Sequence, residues 1–430
     1  MEQKNSLKHL GCCYFLLFLG IWLIASPWTF GYPEEILQKS DVVCGILLLV
    51  GGWQGRNSAK SWPYWVVCIV GLWLQMAPLL FWTKSPSAYL NDTFTGVLIL
   101  LVGIIIPGIP GHTERKGREI PPGWSYNPSS WAQRMPVIAL AIWGWLAARY
   151  LTAYQLGFIT TMWDPWFGNG TVEVITSSIS QAFPVPDAGM GALAYTLEAL
   201  LGCKGGTARW RTMPWLVIGF GILVIPLGLI SILLIVLQPI AVHAWCAICL
   251  MIALGMLIMI MLTVDEVTAS LQVLRKGRHL GIAWSTLLWE GLPEAKEEVD
   301  TRSPSLTAPF YQLLQAAFWG CRCRWNMLLT AFLGSAAMML PSFIVMPKWL
   351  ADSDHICGAL AVVLSILAMA DITRVVRKAL SLFGLFMVVV SCMYYSEAHI
   401  LVPHLLIGIG WLIFCWPEGK VVERYGTTPS

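Results

Sequence analysis

The sequence predicts an all-α polytopic membrane protein with about twelve transmembrane segments, and its composition is the first reason. The chain has 430 residues, of which 57% are hydrophobic and 12% are charged, and its mean hydropathy is +0.67. A soluble domain usually carries about 25% charged residues. The apolar residues form long runs, and positions 213–264 contain no Asp, Glu, Lys or Arg. Helices are expected because lipid leaves the edges of an open sheet without hydrogen-bond partners.

Twelve apolar segments follow one another along the chain, and each is a candidate for a membrane crossing of about 20 residues. Two of them are short and predict helices that are tilted, re-entrant or packed inside the bundle: 41–54 and 188–202. The other ten segments lie at 11–26, 62–81, 93–110, 135–156, 213–237, 240–263, 325–346, 356–370, 380–395 and 399–416.

The basic residues indicate how these segments are oriented. With the N-terminal side taken as the inner side, 23 of the 27 Lys and Arg residues fall in inner stretches. Cytoplasmic loops carry an excess of Lys and Arg. The pattern predicts a multi-pass protein of the cell membrane, in contact with the lipid bilayer and with both termini cytoplasmic. No basic cluster with interleaved aromatic residues occurs, so nucleic acid is not an expected partner.

A short pattern recurs four times, twice before and twice after the middle of the chain. A Pro is followed after 13 or 14 residues by Asp-x3-Gly in three copies, and a fourth copy has His in place of Asp. Each copy is expected to form one helix hairpin. Pro would end the outgoing helix, Asp would cap the returning helix, and Gly would allow close helix contact. The Asp or His positions are Asp41, Asp92, Asp354 and His404.

This repeated unit resembles the SPW repeat, which is named for a Ser-Pro-Trp sequence found here at positions 26–28. The other copies have drifted, and Ala77-Pro78-Leu79 keeps only the proline. No chemistry is assigned to that family, so the resemblance implies a role in membrane scaffolding.

The middle region contains a single Cys-x-x-Cys, formed by Cys246 and Cys249 at the start of an apolar segment after Pro239. Thiols at a helix N-terminus ionise more readily because they meet the positive end of the helix dipole. A redox dithiol is therefore one interpretation. Two buried apolar cysteines are an alternative, since the chain has twelve. A zinc site is disfavoured because no second pair has matching spacing.

The region 136–281 resembles the vitamin K epoxide reductase family, which has a four-helix membrane fold. The resemblance implies a central four-helix bundle, flanked by the helix-hairpin repeats, that exchanges electrons between thiols and a quinone of the ubiquinone or menaquinone type. Four features carry it: the loop Val174-Ile175-Thr176-Ser177-Ser178, a short helix from Asp187 to Cys203, a basic inner turn at 209–215, and a helix that opens with Trp245 and the Cys-x-x-Cys.

The resemblance also implies roles for individual residues. Cys246 and Cys249 would be catalytic, with Cys249 nearer the quinone and Cys246 exchanging with an outside thiol. That thiol would belong to a separate extracytoplasmic protein of the thioredoxin-like kind. Ser177 or Ser178 falls at the loop serine near the quinone. Asp187 falls where the family usually has a polar residue that hydrogen-bonds a quinone oxygen, and helix capping is the alternative for this carboxylate.

Two departures from the family pattern keep other functions open. Residues 150–202 contain no Cys, so the usual relay through loop cysteines cannot run within this chain. A tyrosine that the family often has falls at Ala253. The first alternative is a non-catalytic membrane scaffold or partner-binding protein. A transporter is the second, although its repeats should surround a charged site at the membrane midplane.

The sequence thus predicts four regions. Residues 1–118 and 325–418 each hold two SPW-like hairpins, residues 134–280 form the four-helix bundle, and residues 281–324 form a cytoplasmic linker. Arg149 and Glu198 are ionisable residues inside membrane segments, where such groups are costly. A pair between these two residues is a further hypothesis.

Overall fold

The computed structural model describes residues 2–56, 62–105, 117–293 and 298–426, and for residues 2–8 and 105 it describes the backbone alone. Within these ranges each of the twelve predicted segments corresponds to a helix, which confirms the all-α fold. Nine of the described helices are long and apolar enough to cross a membrane, and a tenth apolar helix is shorter. The predicted end of the fourth segment, 106–110, lies outside the described residues.

Sixteen α-helices are present in the described ranges, in addition to short 3-10 and π-helical turns. In chain order they are α1 Glu2–Phe30, α2 Glu35–Gly55, α3 Trp62–Leu80, α4 Pro86–Ile105, α5 Trp131–Gln155, α6 Gly170–Ile175, α7 Asp187–Cys203, α8 Arg209–Thr212, α9 Pro214–Leu237, α10 Ala247–His279, α11 Trp284–Glu290, α12 Phe310–Ala317, α13 Trp325–Met339, α14 Lys348–Leu367, α15 Leu380–Met393 and α16 Ala398–Phe414.

The chain divides into two compact units. The first unit comprises Met1–Glu114, Ala141–Trp163 and Ile175–Gly205, and it includes α1 to α4, most of α5, and α7. The second unit comprises Arg115–Leu140, Asp164–Val174 and Gly206–Ser430, and it includes α8 to α16.

Four helix hairpins correspond to the four sequence repeats: α1–α2 and α3–α4 in the first unit, and α13–α14 and α15–α16 in the second. In each hairpin the repeat glycine packs against a glycine of the outgoing helix, so the two backbones touch. A Cβ added to the repeat glycine would lie only 2.6–2.9 Å from the partner's carbonyl oxygen. The predicted role of glycine is therefore confirmed. The pairs are Gly20 with Gly45, Gly71 with Gly96, Gly334 with Gly358, and Gly384 with Gly408.

The predicted capping role of the repeat Asp is wrong. The returning helices begin six residues earlier, at Glu35, Pro86, Lys348 and Ala398. Each start has its own signal, such as an acidic first turn in α2 or a proline as the first residue of α4. The repeat Asp or His is consequently the seventh residue of its helix, and all four of these side chains are fully buried.

Two of the repeat prolines lie inside the outgoing helix, whereas Pro341 follows the end of α13 at Met339, as expected. Pro27 and Pro78 are inside α1 and α3, which continue to Phe30 and Leu80. The helices thus end within one turn after the proline. Proline removes the hydrogen bond that its nitrogen would have donated, yet α1 and α3 each continue for two or three residues after it.

The helix that carries the cysteines begins later than the apolar pattern predicts. After α9 the chain forms a π-helical turn, Gln238–Val242, and His243 then adopts a positive φ of 58°. The break follows Pro239, which cannot donate a backbone hydrogen bond. Helix α10 starts at Ala247 and runs for 33 residues. Cys246 therefore lies at the N-cap.

A buried ion pair joins α8 to α10 in the second unit. The Nε and Nη2 atoms of Arg209 donate to the two carboxylate oxygens of Glu266, each at 2.6 Å. The hydroxyl of Ser129 also donates to Glu266. Both charged side chains are almost completely buried. The basic turn at α8 is thus fixed to the helix whose other end carries the cysteines.

Candidate functional site

Cys246 and Cys249 form a disulfide at the start of α10. Their Cα atoms are 5.2 Å apart, which is within the usual range for a disulfide. Cys246 is the N-cap residue, and its Sγ accepts the backbone N–H of Cys249 at 3.1 Å. The backbone N–H of Cys246 donates to Oε1 of Gln238, a buried side chain in the preceding turn, at 3.0 Å. Cys246 is fully buried, whereas Cys249 is partly exposed.

A loop of the second unit, residues 164–174, covers the start of α10. The Phe167 ring packs against the Trp245 ring, with 6.4 Å between the two ring centroids. Gly170 approaches the carbonyl oxygen of Trp245 so closely that a Cβ at this position would overlap with it. The loop thus packs against the residue that directly precedes Cys246.

Asp164 fixes the conformation of this loop. Its carboxylate accepts the backbone N–H groups of Phe167 at 2.9 Å and Thr171 at 2.8 Å, and the Thr171 hydroxyl at 2.7 Å. Burial raises the pKa of Asp164, but these hydrogen bonds lower it by more, so the pKa lies below its usual value. The carboxylate remains ionised at neutral pH and keeps accepting all three hydrogen bonds.

An apolar cavity of about 260 Å³ lies beside the disulfide, between helices α9, α10, α13 and α14 of the second unit. Its only polar side-chain groups are the Ser335 hydroxyl and the Trp245 indole N–H. Cys249 packs against an apolar cluster that lines this cavity. The cluster contains Ala253, where the related family often has a tyrosine, and the small side chain leaves space for the cavity. The cluster residues are Ile235, Ala253, Met338 and Ala359.

His355 of α14 is a neighbour of this site that the sequence alone did not indicate. Its ring meets the Trp245 ring edge to face, with centroids 5.8 Å apart. The side chain is buried, and its Nδ1 atom has no hydrogen-bond partner among the described residues. Trp245 is followed directly by Cys246, so the hairpin α13–α14 contributes a titratable ring close to the start of α10.

The three predicted quinone contacts belong to the first unit. Asp187 is the first residue of α7, and its Oδ1 accepts hydrogen bonds from Gln155 at 2.6 Å and Ser180 at 2.7 Å. Ser177 Oγ accepts the backbone N–H of Ser180 at 3.3 Å, and Ser178 is exposed. The structure thus brings Asp187 together with Gln155 and Ser180, two residues that the sequence did not single out.

The proposed pair between Arg149 and Glu198 is wrong. Arg149 donates to the Thr93 hydroxyl at 2.8 Å and lies over the Tyr89 ring. Glu198 is fully buried, and neither of its carboxylate oxygens has a hydrogen-bond partner among the described residues. Helical periodicity shows that two residues are buried but does not show which neighbours they face.

Fold and site together define a polytopic helical membrane protein with a disulfide-forming Cys-x-x-Cys at a helix start. Residues 135–264 match the sequence model of the vitamin K epoxide reductase family, and residues 14–106 match that of the SPW repeat domain. The chain therefore contains one segment similar to the vitamin K epoxide reductase family and another similar to the SPW repeat domain, and the predicted resemblance is confirmed. At the family level the first match indicates a membrane thiol–disulfide and quinone oxidoreductase. No curated protein and no solved structure is significantly similar to the chain.

Proposed function

We propose that this protein is an integral membrane oxidoreductase whose Cys246–Cys249 pair passes electrons between an extracytoplasmic thiol and a membrane quinone. The observation that carries the proposal is the disulfide at the start of α10, beside an apolar cavity and within the family-matched segment. In the reduced form, two thiols would give two electrons and two protons to the quinone. The products are one disulfide and one quinol, so atoms and electrons balance.

The unequal exposure of the two cysteines supports a division of roles. Cys249 is partly exposed and packs against residues that line the cavity, which supports the proposal that it is the cysteine that reacts with a quinone. Cys246 is fully buried, and the loop 164–174 packs against the preceding residue, Trp245. Thiol–disulfide exchange requires direct access to a sulfur. An external thioredoxin-like protein would therefore react with Cys246 only after displacing this loop.

The cavity suits the apolar part of a ubiquinone or menaquinone. Its volume of about 260 Å³ is close to the lower end of ligand pockets, which is on the order of 300 Å³. Apart from this cavity, Ser177, Ser178 and Asp187 of the first unit are proposed as polar contacts of a quinone, as the family resemblance implies. Oδ1 of Asp187 already accepts two hydrogen bonds from side chains. Asp187 would therefore donate to a quinone oxygen only through a protonated Oδ2.

The decisive variant is Cys249→Ala, assayed in lipid nanodiscs with dithiothreitol as the thiol donor and a ubiquinone analogue as the acceptor. A small dithiol is used because it does not depend on a protein partner. We expect Cys249→Ala to abolish quinone reduction. Cys203→Ala is the matched control because Cys203 is a free, exposed cysteine, and full activity is expected. Full activity in Cys249→Ala would refute the proposal.

A non-catalytic scaffold or partner-binding protein is the second candidate, and the absence of cysteines from positions 150–202 favours it. Differential alkylation and mass spectrometry of intact membranes distinguish the two functions. An enzyme should show a Cys246–Cys249 disulfide that forms with added quinone and disappears with dithiol. Two thiols that stay reduced whether or not quinone is added would instead support the scaffold.

A further inference from the structure

Each pair of helix hairpins encloses a buried polar pair, formed by the seventh residues of its two returning helices. Asp41 of α2 and Asp92 of α4 form one pair in the first unit. Asp354 of α14 and His404 of α16 form the other in the second unit, with Nε2 of His404 at 3.1 and 3.2 Å from the two carboxylate oxygens. All four side chains are fully buried. Neither pair takes part in the thiol chemistry proposed above.

The Asp354–His404 pair must hold a proton between its two side chains. Nδ1 of His404 lies 2.8 Å from the carbonyl oxygen of Ile400, which can only accept a hydrogen bond. Nδ1 therefore carries a hydrogen. Nε2 faces the carboxylate, so either Nε2 is protonated and donates, or the Asp354 carboxyl is protonated and donates to Nε2. Without this proton, a lone pair would face a buried carboxylate.

The Asp41–Asp92 pair has the same place in its hairpins, and its hydrogen bonding is incomplete. Ser26 donates to Oδ2 of Asp41 and Asn91 donates to Oδ1 of Asp92, each at 3.4 Å. The remaining oxygens, Oδ1 of Asp41 and Oδ2 of Asp92, are buried and have no hydrogen-bond partner within the described part of the chain. The Tyr32 hydroxyl interacts with both carboxyl groups. Tyr32 is only 3% exposed, and its hydroxyl forms no regular hydrogen bond with any described residue, so it is free to donate to either carboxyl group.

The charges around this pair do not neutralise it. Among the described residues, no Lys, Arg or His forms an ion pair with Asp41 or Asp92. Arg149, the cation on α5, instead donates to the Thr93 hydroxyl. Cys44, one turn after Asp41 on α2, is the other titratable neighbour. Two carboxyl groups in contact cannot both ionise at low cost, and buried charge inside a membrane segment is expensive.

We infer that Asp41 and Asp92 form a proton-binding site, in which one proton is shared between the two unpartnered carboxyl oxygens. The Tyr32 hydroxyl is placed to donate to the negative charge that remains. The site is the counterpart of the Asp354–His404 pair in the other two hairpins. The SPW-type hairpins thus carry a protonatable centre of their own, and this inference stands whether or not the thiol–quinone proposal is correct.

Infrared spectroscopy of the full chain in lipid nanodiscs tests the inference directly. The difference spectrum between wild type and Asp41→Asn/Asp92→Asn at neutral pH should contain the carbonyl band of a protonated carboxylic acid. The band should move to lower frequency in heavy water. Other buried acids, such as Glu198, are present in both proteins and cancel. Glu35→Gln is the control on the same helix because its side chain is 80% exposed and lies outside the buried pair, so it should leave the band unchanged.

Tyr32→Phe provides a second variant should the double variant fail to fold. Phe keeps the ring and removes the hydroxyl beside the pair, so the frequency of the same band should shift. A wild-type spectrum without a band assignable to the pair, or a band unaffected by these substitutions, would overturn the inference. A band that is absent in sodium buffer and appears only in choline buffer would also overturn it, because a metal cation would then occupy the site.

Discussion

Replacing Glu266 by Gln should destabilise the protein strongly, because it breaks the buried ion pair between α8 and α10. The side chains of Arg209 and Glu266 are only 1% and 5% exposed, and two hydrogen bonds of 2.6 Å join them. Gln has nearly the same shape, so the loss of the charge is the main change. Removing one partner of a buried pair costs about 3–5 kcal/mol, because the other charge stays buried without compensation. We expect the free energy of unfolding to fall by this amount.

The matched control is Glu298→Gln, in a more exposed ion pair of the same unit. Arg118 and Glu298 are 3.3 Å apart, with side chains that are 22% and 48% exposed. Pairs of this kind contribute about 0–1 kcal/mol. Both variants would be unfolded by denaturant in detergent micelles and followed by tryptophan fluorescence. If Glu266→Gln lowers the free energy of unfolding by no more than Glu298→Gln does, the reasoning from burial is refuted.

Two further substitutions are measured in the same unfolding assay. Gln238→Met removes the acceptor of the buried Cys246 N–H, and the free energy of unfolding should fall by about 1–3 kcal/mol; an unchanged value would contradict the importance of this hydrogen bond. Gly358→Ala places a Cβ 2.6 Å from the carbonyl oxygen of Gly334 and should cost about 1–3 kcal/mol. At the exposed Gly206 a Cβ meets nothing within 4 Å, so Gly206→Ala should change stability by less than about 0.5 kcal/mol, and equal losses at both glycines would disprove the contact argument.

The sequence predicted the existence of every hairpin but misplaced the starts of three of the four returning helices, since only the start of α16 was predicted to within one residue. The apolar run in α2 begins at position 41, whereas the helix begins at Glu35. Its first turns contain Gln38, Lys39 and Ser40, which do not register as a membrane segment. A helix whose first turns are polar is therefore longer than its apolar run. This error alone made Asp41 look like a cap when it is a buried residue of the helix interior.

The candidate site divides into a part that is local in sequence and a part that is not. A Cys-x-x-Cys after Pro239 predicts a dithiol at a helix start, because proline, N-cap and spacing are features of one short segment. The neighbours of Trp245 come from elsewhere: Phe167 precedes it by 78 positions and His355 follows it by 110. Such contacts depend on how helices and loops pack, and no single-sequence periodicity encodes the choice of partner.

The buried seventh residues have a consequence for how the chain is inserted into the membrane. A hairpin that is released from the insertion machinery without a second hairpin presents one carboxyl or imidazole group to lipid. An Asp at the centre of a membrane helix costs about 2.5–3.5 kcal/mol. This cost falls when a second hairpin supplies the partner, as Asp92 does for Asp41 and His404 does for Asp354. Membrane insertion should therefore favour the release of two hairpins together from the insertion machinery. A chain that stops after α2 should be retained or degraded, whereas one that stops after α4 has its first pair complete.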